Sequence, residues 1–268
     1  MKRFILLTFI ICGSSMGVTA QSGDSLKFIT ITPTGAIRNV NWLEKNTIGE
    51  VGIELKLKPS KKLNVSFGAT IFKTIGQSII NTSPPLAFTS VFDKFGSSSF
   101  VSSSPKTAYS GGFINVDLGV PFKLRDSSNV SIEPFLGLEA KIWGRSTDYG
   151  TEASPLLVEE KYKFLSPSFG AKLNYATKSK VKLTLRISGS YPLISKLKLD
   201  EKNLNLPNAE LDLKRQLSPS VEIGAKIKKL TIKLRYERIN FGSSDSLRGF
   251  AAPASKANVS GVSVSYDF

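Results

Sequence analysis

The sequence predicts an all-β fold, a single up-and-down antiparallel transmembrane β-barrel of about ten strands with long loops at one end and short turns at the other. Three observations predict it. Polar and apolar residues alternate with period two in segments of roughly ten residues or more. The connections between these segments run long, short, long, short. The number of candidate strands is even, which places both chain ends on the side of the short turns.

The alternation is plainest in residues 181–191, VKLTLRISGSY. There Val181, Leu183, Leu185 and Ile187 share one face, and Lys182, Thr184, Arg186 and Ser188 the other. Residues 51–58 set Val51, Ile53, Leu55 and Leu57 against Gly52, Glu54, Lys56 and Lys58. Residues 63–72 repeat the pattern, and 221–227 and 230–237 do so on either side of Lys228-Lys229. The ten segments are 25–33, 48–58, 62–73, 109–120, 130–142, 162–175, 181–191, 217–227, 230–240 and 257–268. Pro134, Pro167 and Pro219 fall inside them; each removes a ladder donor, so a bulge or strand end is expected there.

Between the segments, the short connections are 59–61, 121–129, 176–180 and 228–229. The long ones are 34–47, 74–108, 143–161, 192–216 and 241–256. A stretch as long as 74–108 argues against a compact soluble domain. In a membrane barrel it is ordinary, because outer loops are long and periplasmic turns tight. The rival fold is a secreted β-sandwich or soluble ligand-binding barrel, which also alternates. Strand length separates the two: a tilted bilayer-crossing strand needs about ten residues, whereas globular strands usually stop near five or six.

Residues 1–20, MKRFILLTFIICGSSMGVTA, have the form of a signal peptide. Lys2 and Arg3 make a positive start, Phe4 to Cys12 a short apolar run, and Val18-Thr19-Ala20 a small-residue cleavage site. Such a run is too short to cross a bilayer core that needs about 20 apolar residues. The lone Cys12 lies in this leader, and Phe9-Ile10-Ile11 before it lacks the small residue that a lipid-modified Cys follows. The expected organisation is a cleaved leader, 1–20, and one barrel domain, 21–268, exported to the cell outer membrane.

Composition excludes several chemistries. There is no His, so neither Ser-His-Asp nor Cys-His catalysis nor an imidazole metal site is available. One Cys makes neither an internal disulfide nor a thiolate zinc site. Neither a catalytic residue nor a cofactor or metal site is expected.

The chain ends VSVSYDF, with Val262, Val264, Tyr266 and Phe268 on one face and Ser263, Ser265 and Asp267 on the other. A terminal aromatic with a second aromatic two residues before it resembles the targeting strand of bacterial outer-membrane proteins. That resemblance implies that the barrel assembly machinery recognises this strand during insertion. Leu118-Gly119-Val120-Pro121 and Pro134-Phe135-Leu136-Gly137-Leu138 look like the two sides of a periplasmic turn in the small outer-membrane β-barrel proteins of diderm bacteria. The Ala20-Gln21 junction is similar to leaders in the generic outer-membrane β-barrel family of the Bacteroidota.

If the apolar face meets lipid, the other lines a lumen. The expected lumen charges are Lys56, Lys141, Lys172, Lys182, Arg186, Lys226, Lys233 and Arg235 with Glu54, Asp117, Glu133, Glu139, Glu222, Glu237 and Asp267. Eight basic and seven acidic groups leave the interior near +1. So many charges must pair or stay hydrated, and a ten-stranded barrel is only slightly wider than an eight-stranded one, which side chains fill. A closed, salt-bridged interior is therefore expected before a general porin.

Three function classes remain. The first is a structural or interaction role through the outer loops, where Phe88, Phe92, Phe95 and Phe100, followed by Tyr109, supply candidate contacts to a surface ligand or protein partner. The second is a narrow channel or small-ligand transporter. The third is an outer-membrane enzyme; ten-stranded omptin proteases and lipid-modifying barrels resemble this chain in architecture, but their mechanisms use a His that it lacks. The loop acids Asp93, Asp148 and Asp245 show no spacing that pairs them.

The net charge of +15 invites a nucleic-acid reading, which export makes inapplicable. Loss of Lys2 and Arg3 with the leader leaves +13. The short turns, taken as 58–62, 121–129, 176–180 and 228–229, hold +3, +1, +2 and +2 of it. The expected partners of that basic rim are anionic lipid headgroups of the outer membrane.

Overall fold

The computed structural model describes residues 29–60, 62–75, 78–79, 106–124, 129–148, 157–179, 181–201, 209–245 and 251–268. The fold is all β, and the described residues form fourteen strands in one sheet: β1 (Ile29–Asn41), β2 (Lys45–Ser60), β3 (Leu63–Thr74), β4 (Ser78–Ile79), β5 (Lys106–Gly119), β6 (Phe122–Lys123), β7 (Val130–Asp148), β8 (Leu157–Ala176), β9 (Val181–Ser190), β10 (Ile194–Glu201), β11 (Ala209–Asp212), β12 (Ser218–Ile227), β13 (Leu230–Phe241) and β14 (Ser255–Tyr266).

Ten of these close a ring. Pairing runs β1–β2–β3–β5–β7–β8–β9–β12–β13–β14 and returns to β1, every ladder antiparallel. The closing seam sets Thr34 opposite Ser265 and Asn41 opposite Asn258. Closure leaves no unpaired edge in the wall, the condition that lets a sheet stand in hydrocarbon. The other strands are additions: β10 extends the line of β9 along β8, β11 pairs with β10, and β4 and β6 are two-residue extensions beside β5 and β7.

The first hairpin differs from expectation. β1 runs to Asn41 and β2 begins at Lys45, so 34–47 is not a long loop but strand interrupted by a three-residue turn. Alternation is present there, with Thr32, Arg38 and Val40 buried and Ile37 and Asn39 exposed, but it mixes polar and apolar residues on both faces. Hydropathy period alone therefore missed it. Likewise 143–161 is mostly strand, because β7 continues to Asp148 and β8 starts at Leu157, and 192–216 contains β10 and β11.

The prolines mark breaks in pairing. Ser168 pairs with Ser190 and Leu165 with Ile194, so two residues of β8, Ser166 and Pro167, face three, Tyr191 to Leu193. This bulge inverts the side-chain parity of the line: in β9 Arg186 and Ser188 line the interior cavity while Ile187 is exposed outside, whereas Ser195, Leu197 and Leu199 are buried in β10. Pro134 sits where β5 has ended and β6 has not begun, and its carbonyl accepts the Val120 N–H. Pro219 is the second residue of β12.

The two faces of the wall are opposite in chemistry. Outside, Ile37, Val51, Ile53, Phe67, Ile71, Ile114, Leu136, Phe169, Ile187, Ile223, Leu234, Val262 and Phe268 are all exposed. Inside are the buried Arg38, Glu50, Asp117, Glu133, Lys141 and Glu237. A soluble barrel has the reverse arrangement. The outer apolar band stops at Asn39, Thr47, Lys73, Ser110, Gly144 and Lys163, while the strands continue. β8 enters the band only after Lys163, so the first third of its 20 residues, Leu157 to Lys163, stands above it.

Candidate functional site

The interior is built in two layers, each from residues that alternation directs inward. The layer toward the short turns is ionic. Lys141 of β7 reaches Glu237 of β13 at 2.5 Å and Glu139 at 3.1 Å, and Arg235 holds the other Glu237 oxygen at 3.0 Å. Arg186 of β9 donates to Asp117 of β5 at 3.0 Å. Arg38 pairs with Glu50 at 2.8 Å, Lys172 with Glu133 at 2.9 Å, Lys233 with Glu222 at 3.0 Å, Lys56 with Glu54 at 3.2 Å, and Lys226 with Asp267. Lys182 is exposed at the short-turn mouth.

Aromatic rings and one glycine fit around this network. The Arg186 guanidinium lies 4.2 Å from the centre of the buried Phe135 ring, and Lys141 lies over Phe113. Gly137 faces inward, and a Cβ there would come within 2.3 Å of the Asp117 carboxylate. Its missing side chain is the room in which Asp117 meets Arg186.

Toward the loop end the interior turns aromatic. Trp42 stacks on Phe241 at 4.4 Å and on Tyr109 at 5.9 Å, with Tyr162 edge-on to it at 5.4 Å. Phe72 and Trp143 meet at 4.7 Å. Val40, Ile48, Leu197, Leu199, Leu211, Ile239 and Val259 are buried with them. At the centre, Arg145 donates to Glu44 at 3.0 Å and to Glu160 at 3.1 Å, and the Tyr109 hydroxyl donates to Glu44 at 2.5 Å. All three charged side chains are 3% exposed or less. A polar cavity of about 150 Å³ lies in the ionic layer, lined by Thr34, Arg38, Glu50, Asn115, Glu222 and Arg235 among others.

The fifteen charges singled out by alternation thus lie on one parity, and fourteen of them make ion pairs. Alternation missed Arg38, Glu44, Glu50, Arg145 and Glu160. Four of these lie in or beside segments that look like loop, and Glu50 lies one step outside the pattern begun at Val51. Adding them makes ten basic and ten acidic inward groups among the described residues, Lys182 at the mouth included, so their charges balance rather than leaving +1. Tyr109, grouped with the loop aromatics by sequence, is instead a fully buried residue of β5. Phe88, Phe92, Phe95 and Phe100 lie outside the described residues, as do residues 1–20 and Asp93. Asp148 ends β7 and Asp245 is exposed in a connection; the two are not brought together.

Outside, just above the apolar band, lies a feature sequence reading did not isolate. Lys45, Lys73, Lys106, Lys161, Lys163, Arg238 and Lys256 are exposed on the outward parity, with Lys196 and Lys198 beside them. Lys196 pairs with Glu210 at 2.5 Å, and that hydrogen bond holds the Glu210 carboxyl below its ordinary range. The short-turn rim is basic too, with Lys58, Lys62, Lys123, Lys178, Lys228 and Lys229 described there. Val262, Val264, Tyr266 and Phe268 point outward into the apolar band.

No protein-family model and no curated protein sequence matches the chain. Solved structures do. The outer-membrane protease OmpT from Escherichia coli is 12% identical over 91% of this chain and 95% of that one, with a TM-score of 0.47. The translocator domain of the autotransporter NalP from Neisseria meningitidis is 11% identical over 92% and 90%, with a TM-score of 0.47. A major outer membrane protein from Thermus thermophilus is 10% identical over 91% and 100%, with a TM-score of 0.43. At this level of similarity the fold rests on the chain's own strand pairing.

Proposed function

We propose that the protein spans the outer membrane of a diderm bacterium as a filled, non-conducting barrel and works through contacts made at its loop end. One observation carries the reading: the inverted barrel wall, apolar outside and ionic inside, is closed above by aromatic packing around Arg145. Inside the loop end Trp42 contacts Tyr109, Tyr162 and Phe241, and Tyr162 also contacts Phe241. Cross-lumen pairs such as Lys141–Glu237 tie opposite walls together below them. Such a body transmits little and presents much, namely strands that rise beyond the apolar band and the connections they carry. Binding, not catalysis, suits that build.

The narrow-channel reading rests on the 150 Å³ polar cavity in the ionic layer. Planar-bilayer recording decides between the two. A silent bilayer containing heat-modifiable, folded protein supports the filled barrel; stable unitary conductance removes it. Deleting residues 80–105 should leave folding intact and abolish capture of a surface ligand or protein partner. Equal capture by the shortened protein moves the contacts elsewhere.

A further inference from the structure

The outer wall of β2, β3, β5 and β7 is indented. A groove of about 810 Å³ has Ala69, Gly112 and Ala140 as its floor and Ile71, Ile114 and Ile142 along its sides. The registers explain it: Ile53, Ala69, Ile114 and Ala140 stand on one rung, and Val51, Ile71, Gly112 and Ile142 on the next. Each small residue stands beside an isoleucine on its own rung, so Ala69, Gly112 and Ala140 meet diagonally across neighbouring strands and the wall thins along that line. Gly112 is held small by its surroundings, since a Cβ would meet the Thr70 carbonyl oxygen at 2.6 Å.

The rung that ends the groove continues from Ile142 to Lys163, which itself lines it. Lys163 stands directly opposite Lys196, and on the next rung Lys161 stands opposite Lys198. Like charges directly opposed across a ladder repel and destabilise it. Among the described residues only Lys196 of these four forms a salt bridge, to Glu210. A strand pair that sets lysine against lysine twice, at the top of an apolar trough, is suited to an anion attached to hydrocarbon.

We propose that this groove is a lipid site. An acyl chain lies along Ala69, Gly112 and Ala140, and a phosphate headgroup is held by Lys161, Lys163 and Lys198. The occupant is a phosphorylated lipid of the leaflet at the loop end. Charge complementarity above and apolar lining below both require it, since free phosphate gains nothing from the trough and a neutral lipid gains nothing from the lysines. The proposal rests on the membrane-spanning reading.

The test is native mass spectrometry of the full-length protein in detergent, with phosphatidic acid as probe. The wild type should retain the lipid, and the triple variant K161Q/K163Q/K198Q should retain about tenfold less. Ala140→Phe, which fills the trough and leaves the lysines in place, should lose it as well. Diacylglycerol should not bind, and inorganic phosphate should not displace phosphatidic acid. Equal retention by both variants, displacement by inorganic phosphate, or a protein dimer in place of the lipid adduct overturns the site. Heat-dependent gel mobility of each variant reports barrel folding separately, so failure of the lipid site and failure of the barrel reading are distinguishable.

Discussion

The Lys141 ammonium of β7 and the Glu237 carboxylate of β13 meet at 2.5 Å across the barrel, joining strands that are four steps apart around the ring. Both side chains are less than a tenth exposed. Removing Glu237 leaves Lys141 with Glu139 alone and takes from Arg235 its ion-pair partner, away from solvent. Glu237→Ala is expected to destabilise the barrel by about 3 kcal/mol. The quadruple replacement E139Q/K141M/R235M/E237L should recover most of that loss, because it removes the whole cluster and leaves no member charged without its partner. Urea unfolding in detergent checks both. A single variant as stable as the wild type, or a quadruple variant no better than the single, would show that this cluster does not brace the lumen.

Leu136, at 69% exposure the most open of the large apolar side chains on the wall, tests which solvent the wall meets. Leu136→Arg should lower stability in lipid vesicles by about 2–4 kcal/mol if that position lies near the bilayer midplane. Asn41→Arg, at the tip of the first hairpin, should stay within about 0.5 kcal/mol. Equal, small effects at both positions, with a protein that needs no detergent, would mean that the apolar face does not contact lipid.

The wall was legible in sequence because each of its residues answers to one neighbour, the bilayer or the lumen, and period two reports which. Ile187 and Arg186 are as clear in the sequence as in the barrel. Above the apolar band that contrast vanishes. Glu44, Arg145 and Glu160 are buried among rings inside, while their outward neighbours Lys45, Gly144 and Lys161 are polar or small. Both faces of those segments then read as hydrophilic, and strand passes for loop. The lysine collar was hidden for a different reason. Lys161 and Lys198 are 37 positions apart, and only the register of β8 against β10 sets them opposite one another.

Lys228 closes the two-residue turn between Ile227 and Leu230 with φ of 54°, a conformation that disfavours a side chain. Glycine is at ease there, although it gives the unfolded chain more freedom. Lys228→Gly should therefore raise stability, by about 0.5–1 kcal/mol. Lys229→Gly, at a position without positive φ, should not raise it. Urea midpoints of the two variants side by side decide the matter: a fall at 228, or equal changes at both, would show that backbone geometry is not what distinguishes the turn.

Phe268 combines two roles that one substitution can separate. Its N–H donates to the Ile31 carbonyl at 3.0 Å, which any residue can do, while its ring packs edge-on to Tyr266 at 5.0 Å and is 56% exposed to the outer band. An outward ring held by one neighbour contributes modestly to the finished barrel, so Phe268→Ala should shift the unfolding midpoint of refolded protein by about 1 kcal/mol or less. If the aromatic end is what the assembly machinery reads, the same variant should accumulate in membranes at a level several-fold below wild type, with the remainder unfolded in the periplasm. Phe268→Tyr keeps an aromatic ring and should restore the level. Normal membrane levels for Phe268→Ala would remove the targeting role, and a stability loss large enough to explain the shortfall would assign the residue to the fold instead.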